Sequence, residues 1–135
     1  LKVEFWQAFN DHMNNNPAFL KEFSTRKPQP QHWYDLAVGT SAYYISLNIN
    51  TQKRIIDVGL YIHSDKDLFH KFEAQKEVFQ EAIGKDIVFR DAGKASRILI
   101  YHSCNVKDRS KWPEAADWMF ETALKFKKTV KLIDK

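Results

Sequence analysis

The sequence predicts an α+β fold, a mainly antiparallel five-stranded sheet (a meander plus a hairpin) with helices packed on it. Three observations lead there. Apolar residues recur at helical spacing near both ends of the chain and again between Leu68 and Ile83. From Tyr43 to Ile62 they alternate instead with polar residues at a period of two. Short links between these strands favour antiparallel neighbours, and no repeating βαβ unit demands a parallel sheet.

Phe5, Trp6, Phe9 and Met13 mark a first helix over about residues 2–14, which Asn14-Asn15-Asn16 interrupts. Asn16 before Pro17 reads as an N-cap with proline at the first helical position, so a short second helix carries Phe19, Leu20 and Phe23. Residues 24–32, with Pro28 and Pro30, form a loop. Strands follow at 33–38, 43–50 and 54–63. In the second, Tyr43, Ile45, Leu47 and Ile49 alternate with Tyr44, Ser46, Asn48 and Asn50. In the third, Ile56, Val58, Leu60 and Ile62 oppose Asp57, Gly59, Tyr61 and His63. Ser64 followed by Asp67 resembles a capping box that opens one long helix. Leu68, Phe69, Phe72, Phe79 and Ile83 form its buried stripe, and Gly84 is its expected C-cap. Strands at 86–90 and 96–104 make a hairpin, and Pro113 is tolerated in the first turn of a last helix ending near Ile133. The expected core is Trp6, Phe9, Ile45, Leu47, Val58, Leu60, Phe72, Phe79, Ile98, Ile100, Met119 and Ala123.

A chain of 135 residues suits one hydrophobic core, so residues 1–135 are expected to be a single domain. Its 44% apolar and 28% charged content excludes wholesale disorder. No run is long and apolar enough for a membrane span. The lone Cys104 rules out an intrachain disulfide and points to a reducing compartment, the cytoplasm. The chain opens on Leu1-Lys2-Val3 without a methionine, which suggests a fragment or C-terminal module of a longer protein. A net charge of +4 suits anionic partners without singling out nucleic acid.

Chemistry is sparse. The four glycines are far apart, so no glycine-rich phosphate cradle exists and no cofactor is expected. Cys104 lacks a cysteine partner and no His-x-x-x-His pair occurs, so no metal site is expected. Strand parity sends His63 to the polar face and His102 to the apolar one, so the two diverge. A metal-dependent nuclease needs an acid-x-Lys pair on a strand after its first acid, and the strands following Asp57 offer none. No catalytic set of acid, base or nucleophile is visible, and the reading leans away from an enzyme.

Two surface features remain. The last helix carries Lys125, Lys128 and Lys131, which with Arg26 and Lys27 in the proline-flanked loop and Arg97 on a strand are the candidate nucleic-acid contacts. Lysines near a helix C-terminus also simply suit the macrodipole. The second feature is the polar sheet face with Tyr44, Asn48, Tyr61, His63 and Tyr101, where aromatics among polar groups suit stacking on bases or gripping a peptide. Whether that face is free or covered by the first two helices is open at this point.

The opening Phe5-Trp6-x-x-Phe9, the strand at 54–63, the segment Phe72-Glu73-x-x-Lys76 ending at Ile83-Gly84, the strand centred on Arg97-Ile98 and the late Trp112 and Trp118 together resemble a bacterial family. It is the domain of unknown function numbered 4268, and the resemblance covers nearly the whole chain. It implies a module that follows a restriction-endonuclease-like or other nuclease-type domain, and it brings no catalytic residues. The expected function is a non-catalytic accessory domain of a DNA-processing or defence protein, binding DNA weakly and without sequence preference. The alternative is a protein-interaction or self-association module with no nucleic-acid role.

Overall fold

The computed structural model describes residues 1–134. Helix α1 (Lys2–Asn14) buries Phe5, Trp6, Phe9 and Met13 along one side. Asn16 caps α2 (Pro17–Glu22), its Oδ1 accepting from the backbone N–H of Ala18 at 3.0 Å and of Phe19 at 3.3 Å. The chain continues through β1 (Trp33–Leu36), β2 (Tyr43–Asn50), β3 (Ile55–Ile62), α3 (Lys66–Glu73) and α4 (Lys76–Ala82). Then come β4 (Val88–Ala92), β5 (Ala95–Ser103), a 3-10 turn at Arg109–Lys111 and α5 (Trp112–Ile133). The sheet order is β1-β2-β3-β5-β4, and every neighbour is antiparallel, as the short links between strands implied.

Four local expectations are corrected. The one long helix before the last hairpin is two helices, broken at Ala74-Gln75, where Gln75 leaves helical geometry at φ −105°, ψ 25°. Its apolar stripe has a gap there, since neither Gln75 nor Lys76 can hold a middle turn on the core. The break lets Phe79 meet Phe72, Phe89 and Phe126 at centroid distances of 5.9, 5.7 and 6.4 Å. The cap of α3 is Asp65, accepting from Leu68 N–H at 2.9 Å, rather than Ser64. Gly84 is not the C-cap; Ile83 is, and a reverse turn from Gly84 to Ile87 uses up Asp86 and starts β4 two residues late. The strand at 33–38 stops at Leu36, before the chain turns away at Gly39 with φ +84°.

The register puts Tyr34, Leu36, Ile45, Leu47, Val58, Leu60 and Ile98 on one face, and the helices pack there. Trp6 and Phe9 of α1 each lie 5.0 Å from Tyr34, Phe72 of α3 lies 5.6 Å from Tyr43, and Trp118 of α5 stacks on His102 at 4.7 Å. The α2 helix reaches this layer through Phe19, edge-on to Phe9 and Phe120. Of the expected core, all are buried except Ile100, which is partly exposed next to the sheet edge that β4 leaves uncovered. The first two helices therefore pack on the apolar face, and among the described residues no helix packs on the polar face.

Candidate functional site

That open face is organised in rows across the strands, because directly paired residues share a face. One row is Tyr44, Tyr61, Arg97 and Arg90; a second is Asp35, Ser46, Gly59 and Leu99; a third is Trp33, Asn48, Asp57 and Tyr101. Large side chains in the outer rows flank a middle row whose Ser46 and Gly59 are small, so a trough runs across β1, β2 and β3. Its cavity, about 420 Å³, is lined by Trp33, Asp35, Tyr44, Asn48, Tyr61 and Arg97 among others. Gly59 makes the floor possible. A Cβ there would strike the Ile98 carbonyl oxygen and stand 2.6 Å from Leu99 Cβ, so Leu99 lies against the glycine and is wholly buried.

A polar lattice fixes the walls. Asn48 Nδ2 donates to Asp57 Oδ1 at 3.0 Å and to Ser46 Oγ at 3.1 Å. Arg97 donates to the same Asp57 oxygen at 2.8 Å, which neutralises that carboxylate. Arg90 donates to the Tyr101 hydroxyl at 2.9 Å. The Tyr44 and Tyr61 rings stack on each other at 5.1 Å, and Trp33 is 41% exposed with its ring edge-on to His32 at 4.8 Å.

Asp35 is the exception in this lattice. Its Oδ1 is buried with no hydrogen-bond partner among the described residues, a costly arrangement for an acceptor. Burial pushes its carboxyl up from the usual range, while the Arg26 charge and the Ser46 hydroxyl pull the other way. Tyr44 is pushed up to about 12, first by burial and then by the Asp35 and Tyr61 charges, with Arg97 opposing, so at neutral pH it is a neutral hydroxyl. Asp35 also lines two further clefts, which Arg26 and Lys27 flank, so the trough continues over the β1 edge toward that loop.

The family model described as domain of unknown function (DUF4268) matches residues 1–133. The chain belongs to this family. No curated protein and no solved structure matches it.

In this DUF4268 domain the candidate residues separate into groups. Tyr44, Asn48, Tyr61, Tyr101 and Arg97 are together on the open face. His63 stands just past the end of β3, exposed in a bend. Arg26 and Lys27 sit beside the β1 edge, where the loop is tied down by Arg26 N–H to the Tyr34 hydroxyl at 2.6 Å and by Asn10 Nδ2 to Arg26 O at 2.6 Å. Lys125, Lys128 and Lys131 are exposed on α5, in the layer on the other side of the sheet. The neighbouring Lys127 is taken up by structure, bonding Glu22 O at 2.5 Å and lying over the Phe23 ring. Cys104 is partly buried, and its thiol is pushed up mainly by burial. Among the described residues no three His, Cys, Asp or Glu side chains group as metal ligands would, and no helix is long and apolar enough to cross a membrane.

Trp33, Asp35 and Arg90 belong to the face and were missed from the sequence. In Trp33-Tyr34-Asp35-Leu36 the alternation does put Trp33 with Asp35, but two aromatics in succession leave open which one faces the core. Arg90 was passed over although the alternation through Val88, Phe89 and Arg90 sets it on the face opposite Phe89.

Proposed function

We propose that this chain is a non-catalytic accessory domain of a DNA-processing or defence-related protein, and that it holds a single nucleic-acid strand on its open sheet face. The observation that carries the reading is the face itself, where Trp33, Tyr44, Tyr61 and Tyr101 stand among Arg90 and Arg97, with no helix over them among the described residues. Aromatic faces stack on any base and arginines track phosphates, so such a surface suits unpaired nucleotides better than a rigid duplex. The net charge of +4 adds a long-range attraction. Binding by the isolated domain is expected to be weak, with Kd on the order of 10⁻⁴–10⁻⁶ M, and to fall as salt rises. A nuclease-like partner domain in the same polypeptide, suggested by the family resemblance, would supply the chemistry.

Fluorescence anisotropy with a labelled single-stranded oligonucleotide at two salt concentrations tests this reading. The double variant Tyr44→Ala, Tyr61→Ala is expected to lose about tenfold or more, since each base stack contributes about 1–3 kcal/mol. Changing Lys125, Lys128 and Lys131 together to Glu is expected to cost less and to act mainly through salt-sensitive attraction. A loss confined to the lysine variant would move the site to α5. No binding at low salt would favour the self-association reading, which has its own support in β4: the sheet ends there, leaving Val88–Ala92 with an unpaired edge.

A further inference from the structure

We infer that Arg90 and Arg97 together grip one phosphodiester of the bound strand, an inference that rests on the nucleic-acid reading of the sheet face. The two residues are directly opposite each other on β4 and β5, and both belong to the open face. Like charges in that position weaken a sheet, so the pairing is unfavourable unless anions meet both of them. Asp57 meets one: Arg97 donates to its Oδ1 at 2.8 Å. Arg90 donates only to a hydroxyl, that of Tyr101, at 2.9 Å, and among the described residues it makes no ion pair. Two guanidinium groups and one carboxylate leave the group with a net charge of +1.

The hydrogen bonds also show which way the two side chains lie. Asp57 and Tyr101 are themselves a directly opposite pair, four residues along from the pair of Tyr61 and Arg97. Both arginines therefore lean in the same direction, across the middle row of Gly59 and Leu99, and reach neighbouring strands about 4.8 Å apart. Each guanidinium holds five N–H donors in one plane and spends one on the protein, so both keep donors for the oxygens of a shared anion. The net charge of +1 matches a diester, whereas a terminal phosphate carries about −1.5 to −2 at neutral pH. Tyr61 is directly opposite Arg97, and its ring stacks with Tyr44, which favours an anion that carries a flat ring over a carboxylate side chain. A base on those rings sets its own backbone toward the arginines, so the clamp fixes the register of the strand.

The experiment titrates the whole chain at low salt into labelled thymine octanucleotides. One has an ordinary backbone, one a neutral methylphosphonate backbone, one the neutral backbone with a single central phosphodiester, and one the neutral backbone with a 5′-phosphate. The single-diester strand is expected to bind about tenfold more tightly than the neutral strand, the scale of one hydrogen bond to a charged group. Arg90→Lys and Arg97→Lys keep the net charge but lose the planar fork, so each should remove most of that gain. The double variant should lose little more than either single one, because the two side chains share one phosphate. Thermal melts of the variants confirm that they are folded. A single-diester strand that binds no better than the neutral one, or lysine variants that bind it as the parent does, overturns the inference and leaves the broader reading standing. Tighter binding of the 5′-phosphate strand assigns the arginines to a terminal phosphate and overturns the inference too. Failure of every strand to bind, the ordinary one included, overturns the broader reading as well.

Discussion

Phe72→Ala is expected to cost about 3–5 kcal/mol in denaturant melts, the range for a fully buried phenylalanine truncated to alanine. Phe72 is wholly buried in α3, edge-on to Tyr43 at 5.6 Å and to Phe79 at 5.9 Å. It therefore joins the first half of the sheet to the broken helix that precedes β4. Its two rings of contact come from rigid elements, so the space it leaves cannot close easily. Against a usual total stability of about 5–15 kcal/mol, such a loss leaves a chain that is partly unfolded in mild denaturant. A measured cost well below 1 kcal/mol would mean that the packing of α3 on β2 is wrong.

Gly59→Ala is the second large effect, and its cause is contact rather than backbone freedom. The new methyl would fall on the Ile98 carbonyl oxygen and within 2.7 Å of Leu99 Cα, both backbone atoms of the neighbouring strand that cannot rotate away. Overpacking of this kind costs about 1–3 kcal/mol, and the upper end is expected because β3 and β5 must separate in the middle of the sheet. The same change lifts Leu99 and raises the floor of the trough, so oligonucleotide affinity should fall along with stability. A variant as stable as the parent would show that the two strands do not approach this closely.

The fold was readable because its elements obey one period at a time. Tyr43–Asn50 alternates without a fault, and the structure starts and ends β2 at those same residues. The misreadings fall where a local rule had a competitor. Gln75 and Lys76 are good helix formers, so propensity argues for continuity, yet the chain breaks there because no apolar side chain anchors that turn. Asp86 looked like strand by its neighbours but is used in a turn closed by Ile87 N–H to Gly84 O.

The candidate site was half legible. Parity alone placed Tyr44, Asn48, Tyr61, Arg97 and Tyr101 on one face, since a two-residue period needs no tertiary information. It could not say that the helices all choose the opposite face, because an amphipathic helix packs equally well on either side of an isolated sheet. Nor could it show the trough, which depends on Asp35, Ser46 and Gly59 arriving in one row from three separate strands. The α5 lysines looked equally persuasive as a basic run, and only the layering separates them from the face.

The open sheet face, rather than α5, is where a nucleic-acid strand is expected to lie. Amide and side-chain chemical shifts of the isotopically labelled chain, followed while a single-stranded oligonucleotide is added, test that directly. The expected result is a contiguous set of shifts at Trp33, Tyr44, Asn48, Tyr61, Arg97 and Tyr101, with Arg26 and Lys27 moving less and Lys125, Lys128 and Lys131 least. Shifts centred on Lys125, Lys128 and Lys131, with the face residues unmoved, would contradict it.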